Sequence, residues 1–166
     1  ITAFANISGA HFNPAVSFVF WLNRELSTDR CALYIIFQCL GAIAGVILAH
    51  AMFDQSLFQT GVKIRFGSNI WLSESIATFG LVATILTGLR HKPESVPSLV
   101  SPYITAGYWF TPSTSFANPA VTLGRSFTDS FSGIKLVDMP FFVISQFLGA
   151  ALAYYLVRKL LSTNRS

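Results

Sequence analysis

Residues 8–16 read Ser-Gly-Ala-His-Phe-Asn-Pro-Ala-Val, and residues 115–121 read Ser-Phe-Ala-Asn-Pro-Ala-Val. The Asn-Pro-Ala triplet is the most informative feature of the sequence, because it occurs twice, 105 residues apart, in similar surroundings. A Gln-containing apolar stretch follows each copy, with Gln38 placed 25 residues after Asn13 and Gln146 placed 28 residues after Asn118. One triplet alone would be an ordinary helix start, with Asn as the N-cap and Pro in the first turn. Two copies predict an internal duplication, a frequent construction of membrane transport folds.

The composition of the chain is that of a membrane protein. It is 52% apolar and 11% charged with a mean hydropathy of +0.56, whereas about a quarter of the residues in a soluble domain are charged. A length of 166 residues predicts one domain. The net charge of +4 does not predict nucleic-acid binding, because the basic residues are scattered between apolar runs.

The sequence contains no recognisable set of catalytic or metal-binding residues. Cys31 and Cys39 are eight positions apart, about 12 Å along a helix, which is too far for a disulfide. We interpret them as free thiols. The three His and two Cys show no metal-ligand spacing, and no pair of nucleophile and base is visible. We therefore expect no metal, no other cofactor and no enzymatic activity.

Long runs with few charges predict membrane-spanning helices, which need about 20 apolar residues. We predict four spans, at residues 32–53, 71–89, 96–111 and 139–160. Two shorter helices should begin at Pro14 and Pro119. The inner end of a half-helix must lie within protein or against water, because lipid cannot satisfy free backbone groups. Two half-helices that enter from opposite faces satisfy this demand by lining a pore.

The distribution of basic residues predicts the orientation in the membrane. Seven of the eleven Lys and Arg residues fall on one predicted face, including those of the C-terminal tail, Arg158, Lys159 and Arg165. The other face carries Lys63, Arg65, Arg125 and Lys135. The positive-inside rule places the richer face in the cytoplasm. We expect an integral protein of the plasma (inner) membrane with a cytoplasmic C-terminus.

These motifs resemble the aquaporin, or major intrinsic protein, family of bacterial type. The resemblance implies an all-α, inverted-repeat helical bundle with six spans and two re-entrant half-helices, in homotetramers whose subunits each contain a pore. Because the sequence begins within this pattern, we expect the first span and most of the second to precede it. Residues 1–166 would then form one channel domain, with the end of the first repeat at 1–53 and the second repeat at 71–161.

Two Asn-Pro-Ala boxes should meet at the pore centre. They comprise Asn13, Pro14, Ala15, Asn118, Pro119 and Ala120. The Asn amides would offer N–H donors at the midpoint, and both helix N-termini would oppose cations there. The segments that enter the caps should line the pore with backbone carbonyls, from Gly9, Ala10, His11 and Phe12 on one side and Thr114, Ser115, Phe116 and Ala117 on the other.

The chain departs from the family pattern directly after the second box. Most members have an Arg there, and this chain has Val121. The resemblance, carried over residue by residue, implies that Ala106, Ser115 and Val121 belong to the selectivity filter, and their size predicts a wide, weakly polar constriction. Thr122 replaces the Asp of glycerol facilitators. Arg125, one turn after Val121, either partly replaces the missing charge or is a structural Arg bound to a loop.

Glu74 lies in an otherwise apolar predicted span. The resemblance implies that it accepts hydrogen bonds from backbone amides before Asn118. We expect a passive channel for water and small uncharged solutes, which include glycerol and metalloid hydroxides such as arsenite. Two alternatives remain open. One is an ion-coupled transporter that uses Glu74, since an intramembrane carboxylate is functional by default, and the other is a non-conducting structural membrane protein.

Overall fold

Residues 1–163, which the computed structural model describes, contain only helices and connecting loops, so within this range the predicted all-α fold is confirmed. A 3-10 turn, Pro93–Ser95, precedes α5. The α-helices are α1 (Ala5–Ser8), α2 (Pro14–Leu22), α3 (Thr28–Met52), α4 (Ser68–His91), α5 (Val96–Phe110), α6 (Pro119–Arg125) and α7 (Met139–Thr163).

Three of these helices are long and apolar enough to cross a membrane. They are α3, α4 and the segment Met139–Leu161 of α7, with 25, 24 and 23 residues, and they confirm three of the four predicted spans. The fourth, predicted at residues 96–111, is present as α5. Its 15 residues extend about 22 Å at 1.5 Å per residue, less than the bilayer core of about 30 Å. The fourth helix therefore agrees with its predicted bounds to within one residue, but it is shorter than the bilayer core.

The two short helices begin at the predicted prolines. The Asn13 side-chain oxygen accepts a hydrogen bond from the Ala15 N–H at 2.9 Å, and that of Asn118 accepts one from the Ala120 N–H at 3.0 Å. Each Asn therefore satisfies a backbone donor that the helix leaves free. The helices are nine and seven residues long, too short to cross a bilayer.

Small residues allow the helices to approach closely around the short ones. α7 packs on α4 at Gly149, where a Cβ atom would collide with the carbonyl of Ser75. α6 packs on α3 at Gly124, where a Cβ atom would lie 3.2 Å from the Ala42 oxygen. On the other short helix, Ala15 belongs to a buried cluster between α2, α4 and α7. The half-helices are therefore enclosed by the longer ones.

The basic residues form groups in the structure. Lys63 donates to the Phe131 carbonyl at 2.9 Å, and its own carbonyl accepts from the Lys135 N–H at 2.8 Å. Arg65 and Arg125 lie over one aromatic ring in the same region. Arg90 and Arg158 line a different cavity. Arg165 lies outside the described residues, and which group faces the cytoplasm stays a prediction.

Candidate functional site

The two capping asparagines meet at the junction of the repeats. The Asn13 Nδ2 donates to the Ala117 carbonyl at 2.8 Å, and the Asn118 Nδ2 donates to the Phe12 carbonyl at 2.9 Å. Each accepting carbonyl belongs to the residue directly before the other Asn. One N–H of each amide therefore joins the repeats, and an amide nitrogen carries two. Both Asn residues line a cavity of about 280 Å³.

The loops before the two boxes have the same backbone conformation. In both loops the φ angle is positive at the residues that lie four, three and one positions before the Asn. Residues other than Gly rarely adopt positive φ angles. The angles are 71°, 50° and 47° at Gly9, Ala10 and Phe12, and 63°, 45° and 46° at Thr114, Ser115 and Ala117. Such conformations cost of order 1–3 kcal/mol each and need support from their surroundings. The sequence duplication is therefore also a duplication of a strained turn.

Glu74 supports the second of these loops. Its two carboxylate oxygens accept hydrogen bonds from the N–H groups of Phe116 and Ala117, both at 2.9 Å. The Gln146 side chain donates to Glu74 at 2.6 Å and to the Thr122 hydroxyl at 2.9 Å. Glu74 and Gln146 are fully buried. The backbone amides before Asn118, which the resemblance implies as partners of Glu74, therefore donate to a carboxylate in charge-assisted hydrogen bonds.

The side chains around the first box have other contacts than those around the second. His11 Nδ1 lies 3.2 Å from the Ser17 hydroxyl, and the His11 ring packs on Phe20 with centroids 4.3 Å apart. The Gln38 amide also donates to Ser17, at 3.0 Å. Its buried carbonyl oxygen has no hydrogen-bond partner within residues 1–163. The amides of Gln38 and Gln146 thus occupy related positions with unequal partners.

The three predicted filter residues do not line a common cavity. Val121 lines two cavities along α3. Ser115 is buried against α5, where a Cβ on Gly107 would lie 2.6 Å from its hydroxyl. Ala106 is exposed and is not among the lining residues of the cavities described for residues 1–163. Its place in the filter stays a prediction.

Tyr108 shares a face of α5 with residues that line the cavity of the two asparagines, and the predicted filter does not include it. Val100 and Ile104 of α5 line the cavity that contains the asparagines. Tyr108 follows Ile104 by four residues, so it lies on the same face of the helix, and it lines a second cavity together with Arg65 and Arg125. Ala106 is two residues after Ile104, about 200° around the axis. The helical periodicity of the sequence contains the signal that favours Tyr108.

Two arginines flank the second box through the ring of Phe116. The guanidinium carbons of Arg125 and Arg65 lie 4.2 Å and 4.8 Å from its centroid. Arg65 donates to the carbonyls of Gly133 at 2.8 Å, Ser113 at 3.0 Å and Phe131 at 3.2 Å. The sequence pattern alone does not identify Arg65 as a site residue, because these partners lie about 50 to 70 residues away along the chain.

Arg65 belongs to the loop between α3 and α4, and it is 4% exposed. Burial lowers the pKa of its guanidinium, and repulsion from Arg125 lowers that pKa further, while attraction to Glu74 raises it. The balance of these influences places the pKa below its ordinary value. The region beside the second box is therefore electropositive, although the position directly after the box holds Val121.

Membrane-length helices around two Asn-capped half-helices define a helical membrane channel. The chain belongs to the major intrinsic protein family, whose channels pass water and small solutes; the family's sequence model, "Major intrinsic protein", matches residues 1–108. The chain is similar to the aquaglyceroporin AqpS of Rhizobium meliloti (strain 1021), with 57% identity over 99% of the chain and 71% of that relative.

Plant members of the family are also similar. Aquaporin PIP2-5 of Oryza sativa subsp. japonica is 32% identical over 90% of this chain and 58% of its own length. Aquaporin PIP2-4 of Zea mays is 40% identical over 53% of this chain and 33% of its own length. The chain therefore aligns with less than two thirds of either plant relative.

Proposed function

We propose that the full-length protein is a passive, bidirectional channel for small uncharged solutes, with a pathway that passes Asn13 and Asn118. The observation that carries the proposal is the reciprocal hydrogen bonding of the two Asn amides to the opposite loops, at 2.8 and 2.9 Å. Each amide keeps a second N–H for a solute oxygen. Two helix N-termini at the same point oppose cations.

The proposed solutes are water, glycerol and metalloid hydroxides such as arsenite. Val121 adds no donor and little bulk at the position where most family members have Arg. Tyr108 supplies a phenol group to the cavity beside the second box, and Ser115 would supply a hydroxyl group if the filter includes it. The name of the aquaglyceroporin relative supports a solute larger than water. The sequence-based filter of Ala106, Ser115 and Val121 predicts the same wide, arginine-free constriction.

We also propose a homotetramer in the plasma (inner) membrane with a cytoplasmic C-terminus. The separation of the basic residues into groups supports this orientation. The domain organisation is one channel domain with the end of the first repeat at 1–53 and the second repeat at 71–161. The matching φ angles before the two boxes support the division into repeats.

Swelling of liposomes that contain the full-length protein tests this function. We expect faster swelling in water, glycerol and arsenous acid than in protein-free liposomes, and no dependence on a proton gradient. Glu74 is the residue that ion-coupled transport would require. Its two oxygens are already bound to Phe116, Ala117 and Gln146, and for this reason we favour the channel. Flux that requires a proton gradient would contradict the proposal, as would the absence of flux.

A further inference from the structure

A cavity of about 490 Å³ lies beside the second box and is lined by three basic residues. We call it the basic vestibule and define it by Lys63, Arg65 and Arg125. Its other lining residues are aromatic or carry hydroxyl groups, and none is acidic. A cavity with cations on its wall and hydroxyl groups between them has the chemistry of an anion site.

Arg125 has donors that no protein group uses. Its guanidinium packs on the Phe116 ring at 4.2 Å, and no hydrogen-bond acceptor for it is present within residues 1–163. A guanidinium has five N–H groups. The aromatic ring attracts its positive charge but offers these N–H groups no acceptor oxygen. Arg125 is partly exposed and lines two cavities, so its N–H groups are accessible to water or to a ligand there.

The nearby carboxylates do not neutralise these charges. Asp138 accepts a hydrogen bond from the backbone N–H of Arg65 at 2.8 Å, not from its guanidinium. Glu74 is bound by two loop amides and by Gln146. Lys63 donates to a neutral carbonyl of Phe131. Glu74 attracts Arg65 electrostatically, but no carboxylate within residues 1–163 pairs directly with the side-chain cations of the vestibule, so much of their charge is uncompensated.

We infer that the basic vestibule binds a small oxyanion, a phosphate-like or carboxylate ion, with Arg125 and Lys63 as its main donors. Arg65 contributes charge, because three of its donors already hold the surrounding loops. A bound anion supplies the acceptors that Arg125 lacks and reduces the repulsion between the two guanidinium groups. Anion binding is separate from conduction, so it can be tested without any flux.

Fluorescence quenching of Trp109, which also lines the vestibule, tests this inference. The sample is the full-length protein in detergent with every other tryptophan replaced by Phe. Iodide should quench Trp109 several-fold better than caesium. Replacement of chloride by inorganic phosphate at constant ionic strength should protect Trp109 from iodide with a millimolar midpoint. In Arg125→Gln we expect roughly threefold weaker iodide quenching and loss of the protection by phosphate.

A matched variant separates a local site from a general effect of charge. Lys92→Gln removes one positive charge at the end of α4, outside the vestibule. In this variant iodide should quench Trp109 as strongly as in the parent protein. Lys63→Gln changes an exposed rim residue and provides a second test if Arg125→Gln does not fold. Equal protection by phosphate in the parent protein and in the vestibule variant would overturn the inference. The inference would also be overturned if Lys92→Gln lost the protection by phosphate as fully as Arg125→Gln, or if phosphate gave no protection in the parent protein.

Discussion

The first arm, residues 9–22, and the second arm, residues 114–125, share a backbone but differ in what holds them in place. Both have positive φ angles four, three and one residues before the capping Asn. The first arm is held by packing, since Ala15 and Val19 are almost fully buried among α4 and α7. The second is held by Glu74 and its hydrogen bonds. A duplicated geometry therefore does not require duplicated support.

The two glutamines make this difference concrete. Gln146 donates to a carboxylate and to the Thr122 hydroxyl, and Thr122 in turn donates to the Asn118 carbonyl at 2.9 Å. Gln38 donates to the Ser17 hydroxyl. Ser17 lies four residues after Asn13, as Thr122 lies four residues after Asn118. The Gln38 carbonyl has no hydrogen-bond partner within residues 1–163. The second network is closed and contains a charge, whereas the first is open and neutral. We expect substitutions in the second arm to have larger effects.

Glu74→Leu should have the largest effect. It leaves the buried N–H groups of Phe116 and Ala117 without an acceptor and removes one of the two acceptors of the Gln146 amide, and each unsatisfied group costs about 1–3 kcal/mol. We expect the folded protein to be lost, measured as the yield of monodisperse protein in detergent. Glu74→Gln is the control, because its amide still accepts hydrogen bonds and should give a partial yield. A Leu variant with normal yield and flux would refute the supporting role of Glu74.

Val121→Arg should have the next largest effect, on permeation rather than on folding. A guanidinium at this position would fill the proposed constriction with fixed donors. We expect glycerol and arsenous acid fluxes to fall roughly tenfold, a barrier increase of about 1.4 kcal/mol, with a smaller loss for water. Val121→Ile adds bulk without charge and is the control. Unchanged glycerol flux in the Arg variant would show that residue 121 does not line the pathway.

Asn118→Asp compares the arms at the point where they meet. The change removes the donor to the Phe12 carbonyl and places negative charge among positive helix ends, so it should weaken the barrier to cations. We expect a small sodium or proton current in liposomes under voltage and none in the parent protein. Asn13→Asp should leak less, because Asn13 is only 5% exposed. A current through the parent protein would contradict the neutral-solute proposal.

Gln38→Leu should have the smallest effect. It removes one hydrogen bond to Ser17 and also removes a buried acceptor that has no partner, so the net change should be within about 1 kcal/mol. Gln146→Leu is the matched substitution in the second arm, and loss of its bond to a charged group should cost about 1.5–3 kcal/mol. Thermal unfolding in detergent compares the two. A larger loss for Gln38→Leu would reverse the proposed order of the arms.

Much of the fold can be predicted from the sequence. The paired triplets determine where α2 and α6 begin, because Asn and Pro act locally on the first helical turn. Long apolar runs locate α3, α4 and α7, because length and hydropathy are local quantities. The bounds of α5, predicted at 96–111, also agree with the observed Val96–Phe110 to within one residue, although the uncharged stretch continues past its end.

The side-chain partners of the site are harder to predict. Positive φ at Ala10, Phe12 and Ala117 opposes the intrinsic preference of these residues, so only tertiary contacts explain it. Arg65 reaches the second arm from a loop that carries no motif. The residue-by-residue carry-over from the family selects Ala106, whereas the helical face of α5 favours Tyr108. Local rules therefore predict the helix starts better than the contacts between arms.

The bonds between the asparagines and the opposite loops also limit the order of assembly. Asn13 and Asn118 are separated by 105 residues, so at about 5–20 residues per second a ribosome needs roughly 5 to 20 seconds to make the second after the first. During that interval the first arm has neither the Ala117 carbonyl nor the second half-helix beside it. Because lipid offers its free backbone groups no partners, the arm must wait in water or against the translocation machinery. The junction of the two arms is therefore among the last parts of the protein to form.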